Sequence, residues 1–264
     1  MRDMLQLEMR GHIAIVRLNR PDRRNALSFD LMRELTALAG RLRRDRALRA
    51  VVLCGAGESF CAGLDVAELG NRGNRFFVFR ELLKPSRSLF QRMALVWCEL
   101  PVPVIAAVHG HCLGGGLQLA ASADIRIARA DSQWAILEGR WGMVPDMGIT
   151  TSLRGVLRTD IAKELTWSAR IFDGAEAHRL GLVTYLADDP LAVAQALAGD
   201  LAGRSPDAVL AGKRVIDAMT HTGRRRALWL EKWWQVKLLL GRNSAVARAR
   251  AKTPEKPWVP RQFD

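Results

Sequence analysis

The sequence predicts an α/β protein, with a β/α core running to about residue 190 and a helical part after it. Three observations carry this. Strand-length runs, alternating or wholly apolar, recur as far as "LVTYLA" (182–187) and then stop. Helix-period stretches with capping residues lie between them. Two of the buried runs end in glycine-rich turns that lead straight into a helix start. With 264 residues, 49% of them hydrophobic and 25% charged, the chain suits one large domain or a domain with an appendage.

Each element has its own signal. "LQLEM" (5–9) and "HIAIVRLN" (12–19) alternate around Gly11 and predict a β-hairpin. After the polar loop "RPDRRNALS", Ser28 offers an N-cap, and Leu31, Leu35, Leu38 and Leu42 recur at helix spacing. "LRAVVLCGAG" (48–57) predicts a buried strand ending in a glycine turn. A helix over about 75–99, broken near Pro85, leads to a second buried strand, "PVPVIAAVHG" (101–110). The next helix starts in the glycines 114–116. "DIRIARA" (124–130) and "SQWAIL" (132–137) are further strands. Asp173 with Glu176 forms a D-x-x-E capping box for a short helix. Ser205-Pro206 is a cap with proline at the first helical position, and two or three helices finish the chain. Trp229, Trp233 and Trp234 have spacing for one face of a helix in that last part, which predicts a core or subunit interface, with ligand stacking as the alternative.

Composition narrows the function classes. The four cysteines, Cys54, Cys61, Cys98 and Cys112, show neither C-x-x-C spacing nor a zinc-like His partner, so they are expected to be reduced thiols and no metal site is expected. The N-terminus lacks the apolar run of a signal peptide. The most apolar window, 102–123, holds two histidines, four glycines and a glutamine, which excludes a membrane helix. A cytoplasmic location is expected. The net charge of +13 suits either nucleic-acid contact or steering of a polyanionic substrate. The basic residues are spread along the chain rather than gathered in one arm.

The glycine turns carry the chemistry. Each buried strand delivers the chain to a turn and then to a helix start, where free N–H groups and the helix dipole point outward. Two such turns side by side supply two donors aimed at one point, the arrangement that stabilises an oxyanion.

With "RLNRPDRRNALS", "FCAGLDVAEL", "PVIAAVHGHCLGGGLQLAASADIRIA", "PDMGITTSL" and "ELTWSARIFDGAEAHRLGLV" in order, the chain resembles the crotonase superfamily, the enoyl-CoA hydratase/isomerase family, over nearly its whole length. The resemblance implies repeated β-β-α units forming a spiral core (1–190) and a C-terminal helical region (191–264) that helps build trimers, often paired into hexamers. It implies an acyl-CoA substrate, whose phosphates give the basic surplus a use, and no cofactor beyond that coenzyme A. Some members bind RNA, and nucleic acid is kept as a lesser alternative. The backbone N–H groups of Leu64 and Gly115 match the oxyanion-hole positions. Ala62, Asp65 and Val66 match positions near the CoA adenine and pantetheine, Arg24 and Ala26 match the first CoA-contacting loop, and Gly114 flanks the hole. Arg20 or Arg23 could replace Arg24 on a phosphate. His109 and His111 receive no role from the resemblance and are expected to be structural.

The acids select the reaction. Hydratases of this family hold a water between two glutamates. Here the first position is Gln118 and the second is Glu138 in "WAILEGRWG". An amide orients a water but takes no proton from it. One carboxylate beside a polarised thioester is enough to move a proton between C2 and C4, so the resemblance points to double-bond isomerisation with Glu138 as the base. Hydration, with Gln118 positioning the water, is the alternative, and other enolate chemistry such as thioester hydrolysis or decarboxylation stands behind it. Asp146 lies eight residues after Glu138, as the acids of dienoyl-CoA isomerases do, although the resemblance implies in those enzymes a further acid at the position of Gln118, which this chain lacks; as a plain structural residue Asp146 would cap the helix at "MGITTSL". Residues 71–88 are expected to contribute to the acyl pocket.

Overall fold

A computed structural model of the protein describes residues 3–70 and 73–264. Strand β1 (Leu5–Arg10) turns through Gly11 into β2 (Ile13–Leu18), and α1 (Phe29–Arg44) and β3 (Ala50–Gly55) follow. Helices α2 (Val66–Gly70), α3 (Asn74–Leu82) and α4 (Leu89–Cys98) lead to β4 (Val104–Val108), β5 (His111–Leu113), α5 (Gly115–Ala121), β6 (Ile125–Ala128) and β7 (Gln133–Ala135). Then come α6 (Ile149–Ser152), α7 (Thr159–Ser168), β8 (Phe172–Asp173), α8 (Gly174–Arg179), β9 (Tyr185–Leu186) and α9 (Pro190–Ala202). Helices α10 (Pro206–His221), α11 (Arg224–Leu240) and α12 (Arg242–Arg250) close the chain.

The larger sheet has the order β1-β2-β3-β4-β6-β9, with only the hairpin pair antiparallel. Its central strands are apolar throughout because both faces are covered. Val51 and Leu53 of β3 face the main core with Leu35, Leu38 and Trp97, whereas Ala50, Val52 and Cys54 face Ala194 and Ala198 of α9. So α9, although beyond residue 190, covers the second face of the sheet. Strands β5, β7 and β8 form a separate small sheet. The units β4–β5 and β6–β7 each give one strand to either sheet, and this split carries the chain past the glycines.

Local chemistry explains the boundaries. The Ser28 side chain accepts the Leu31 N–H at 3.2 Å and starts α1. Ser28→Ala is expected to cost about 1 kcal/mol, read as a lower midpoint in urea unfolding. Ser88 and Gln91 make a full capping box for α4, which ends the interruption around Pro85. The Asp173 carboxylate accepts the Glu176 N–H at 2.7 Å, but the Glu176 side chain turns to Arg170 instead of completing the box. Only Tyr185–Leu186 of the expected 182–187 strand pairs, because Leu182 and Val183 close the turn after α8 on the Ala177 carbonyl. The apolar 102–123 window divides into β4, β5 and α5, and among the described residues no helix is long and apolar enough to cross a membrane. All four cysteines are free thiols.

The C-terminal helices have a small core of Leu210, Ala211 and Trp234. The chain end returns to the main body: Arg261 donates to the Arg43 carbonyl, and buried Asp207 accepts from Asn243 and the Gln262 N–H. The tryptophans do not share one face. Trp229 and Trp233, one turn apart, stack at 5.7 Å on an exposed flank, while Trp234 turns inward against Phe263. Leu228, Val236, Leu239 and Leu240 are exposed on the same helix.

Candidate active site

Two loops are stitched together ahead of the glycines. Residues 24–27 run beside 62–65 through the Ala62 N–H to Arg24 carbonyl (2.9 Å), Leu27 N–H to Gly63 carbonyl (2.7 Å) and Asp65 N–H to Leu27 carbonyl (3.0 Å) bonds. These bonds bring Arg24, Ala26, Ala62, Leu64 and Asp65 together. Sequence reasoning missed the organiser of this turn. Asn25 is fully buried in the left-handed region (φ 56°), accepts the Arg20 N–H, and donates to the Ala56 and Ser59 carbonyls. An asparagine before a helix cap in a basic loop was the available signal. Arg20 is committed to structure: it pairs with Asp65 at 2.9 Å and donates to the Ala26 carbonyl. Arg24 remains exposed. The side chain of Val66 lies outside the described residues, as does Asn71.

The second glycine turn packs on the first. A methyl group built on Gly63 (φ 95°) would lie 2.7 Å from the Leu113 carbonyl oxygen and 3.5 Å from the Gly115 nitrogen. One on Gly116 would lie 2.4 Å from the Cys61 carbonyl oxygen. Only glycine permits this approach. Leu64 N–H takes no part in the Leu27–Leu64 bridge, whose bonds use its neighbours. Gly115 opens α5, so its N–H has no acceptor within the helix. Gly114 (φ 50°) is fixed by its own N–H on the Ala135 carbonyl. His109 and His111 hold the neighbouring loop, on the Gly57 carbonyl and the Ser59 hydroxyl respectively. Burial, then the charge of Arg24, pushes the His111 imidazole below its ordinary value.

The polar residues meet behind the glycines. Gln118 is fully buried on α5. Its amide nitrogen donates to Glu138 Oε1 at 2.7 Å, and its carbonyl accepts the Met147 N–H at 2.8 Å. Glu138 sits in the 3-10 turn that follows β7, 9% exposed, and its Oε2 is buried with no hydrogen-bond partner among the described residues. Burial pushes the Glu138 carboxyl above the ordinary carboxylate range, and the charge of Asp146 adds to this against the Gln118 hydrogen bond. Asp146 is half-buried and its carboxyl is pushed up by burial as well. It caps no helix: α6 starts at Gly148 (φ 90°) with no side-chain cap. A methyl on Gly114 would lie 3.5 Å from Glu138 Oε1, so the carboxylate stands directly against the glycine turn. The role of Met147, a backbone N–H that fixes Gln118, had no sequence signal. Among the described residues, no three His, Cys, Asp or Glu side chains gather as a metal site.

Known proteins share this architecture. The family model described as enoyl-CoA hydratase/isomerase matches residues 8–238. The short-chain-enoyl-CoA hydratase of Clostridium acetobutylicum is 34% identical over 218 residues, covering 80% of each chain. The mitochondrial Delta(3,5)-Delta(2,4)-dienoyl-CoA isomerase of Mus musculus is 36% identical over 211 residues, covering 76% of this chain and 64% of that protein. The crystal structure of an enoyl-CoA hydratase from Bacillus anthracis superposes with a TM-score of 0.89 at 26% identity, covering 98% of this chain and 100% of that one. One from Polaromonas sp. JS666 gives 0.85 at 27% identity, covering 96% and 98%. With the glycine turns and buried acid in the expected order, the chain belongs to the enoyl-CoA hydratase/isomerase family and has the crotonase fold.

Proposed function

We propose that the protein isomerises the double bond of an enoyl-CoA or dienoyl-CoA, with Glu138 as the base. The observation that carries this reading is the clamp on Glu138: Gln118 holds Oε1, and Oε2 is left buried and unpartnered. The thioester oxygen is received by the N–H groups of Leu64 and Gly115. Oε2 takes the proton from C2 of a 3-enoyl-CoA, and the C–H electron pair moves into a dienolate whose charge rests on that oxygen. The same proton is returned to C4, leaving the double bond between C2 and C3. Asp146 serves as a second acid–base group along a longer conjugated chain. Arg24, Ala26, Ala62, Asp65 and Val66 hold the CoA portion, with Gly114 shaping the turn. No cofactor is needed beyond the CoA of the substrate. The exposed apolar flank of α11 is where copies associate as a trimer or hexamer.

A second reading rests on one group. A side-chain amide has two N–H donors, and one of those of Gln118 is on Glu138. The other can hold a water for hydration of a 2-enoyl-CoA, the activity named for the Clostridium relative.

A paired assay separates them. A 3-enoyl-CoA is expected to give 2-enoyl-CoA without 3-hydroxyacyl-CoA, and rapid hydration of a 2-enoyl-CoA would decide for the second reading. The pH profile follows from the raised Glu138 carboxyl. The base is the ionised form, so kcat/KM should climb with pH through an apparent pKa above that of an ordinary glutamate. A limb at or below the ordinary value would remove Glu138 as the base.

A further inference from the structure

Beyond Asp146 lies a cavity of about 340 Å³ whose walls are mostly polar. It is bounded by the turn that separates α3 from α4, and its apolar lining side chains are Leu82 and Pro85. Asp146 forms one wall, and the next residue, Met147, holds Gln118 on Glu138, so the cavity adjoins the segment that fixes the proposed base. A pocket for a plain hydrocarbon tail is lined with carbon. This one is lined with donors.

The donors outnumber their internal partners. Buried Glu81 is satisfied by Lys84 and by the Leu89 N–H at 2.7 Å, so it fixes the turn and accepts little more. Ser88 and Gln91 are used in the cap of α4. Lys84 has three N–H donors and spends one on Glu81, while Arg87 has five and meets only Glu99 through one nitrogen. The Ser86 hydroxyl has no partner among the described residues. Lys84, Ser86 and Arg87 thus present unused donors to one cavity, whose two acids are Glu81, already held by Lys84 and the Leu89 N–H, and Asp146.

We propose that this cavity selects a short acyl group that ends in a carboxylate, held by Lys84 and Arg87. The proposal rests on the acyl-CoA reading above and adds the class of acyl group. Arginine and lysine recognise a carboxylate through charge-assisted hydrogen bonds, whereas a hydrocarbon end would leave those donors to water.

Binding of two saturated CoA esters to the full-length protein tests this without depending on which reaction is catalysed. The pair is glutaryl-CoA and its apolar isostere 5-methylhexanoyl-CoA, measured by calorimetry. Glutaryl-CoA is expected to bind about tenfold tighter or better, the worth of hydrogen bonds to a charged group. Lys84→Met and Arg87→Met should each bring the ratio toward one, and Lys84→Arg should keep it. Arg87 is an exposed residue, so its variant holds the test if Lys84→Met, which leaves Glu81 buried without its partner, does not fold. A ratio at or below one in the natural sequence, with both esters bound, overturns the carboxylate and leaves the acyl-CoA reading standing. Binding of neither ester overturns both.

Discussion

Glu138→Gln is expected to lower kcat by about a thousandfold, the usual worth of a positioned base, and to raise stability at the same time. Gln118 holds only Oε1 and Oε2 is buried without a partner, so burial of ionised Glu138 is only partly compensated in the folded state. The sign follows from the raised carboxyl. The stability associated with its protonated form is full below the unfolded-state pKa and is lost as pH rises through the higher folded-state value. At pH 8 the natural protein therefore bears the cost and the variant does not. The gain should be about 1 kcal/mol, or about 2–4 °C in Tm for a chain of this size, shrinking toward pH 4. A Tm difference independent of pH would show that the charge is not the cause. Full activity in the variant would place the base elsewhere.

Gly63→Ala is the second large effect. At φ 95° an added methyl is strained by itself, and here it also meets the Leu113 carbonyl oxygen at 2.7 Å. That carbonyl is main chain in the small sheet, two residues before Gly115, so it cannot rotate away. The two glycine turns must separate, and the N–H groups of Leu64 and Gly115, proposed above to receive the thioester oxygen, move apart with them. Loss of one donor of this kind costs about a hundredfold or more in kcat. The expected result is such a loss in a folded protein, with stability lowered by about 1–3 kcal/mol. Gly40→Ala is the control. Nothing lies within 4 Å of its added methyl, so this mid-helix change in α1 should stabilise by about 0.5–1 kcal/mol and leave kcat alone. An equal kcat in Gly63→Ala would show that the pairing of the turns is not what serves catalysis.

Why these positions were legible, and others were not, is physical. Strand β3 and the Ser28 cap could be read because burial on two faces and an orphan N–H each impose a residue type locally. The glycines of 114–116 could be read because close backbone approach admits little else. Strands β5 and β8 are three and two residues long, too short for a period to show. The clamp was hidden because Gln118 finds Glu138 and Met147 at separations of 20 and 29 residues. The sequence shows an amide at position 118, but not what the amide holds. Asp146 offered a cap or a catalytic acid; the start of α6 at Gly148 removes the cap. Trp234 parted from Trp229 and Trp233 because one residue further along a helix turns a side chain by about 100°.

The clamp has an evolutionary consequence. Glutamine and glutamate codons differ by one nucleotide, and the two side chains have nearly the same shape. The Met147 N–H, which now gives to the amide oxygen, could give equally to a carboxylate oxygen at the same place. The glycine turns, both sheets and the C-terminal helices need not change. A lineage carrying this scaffold therefore stands a single point mutation from a site with a carboxylate at both 118 and 138.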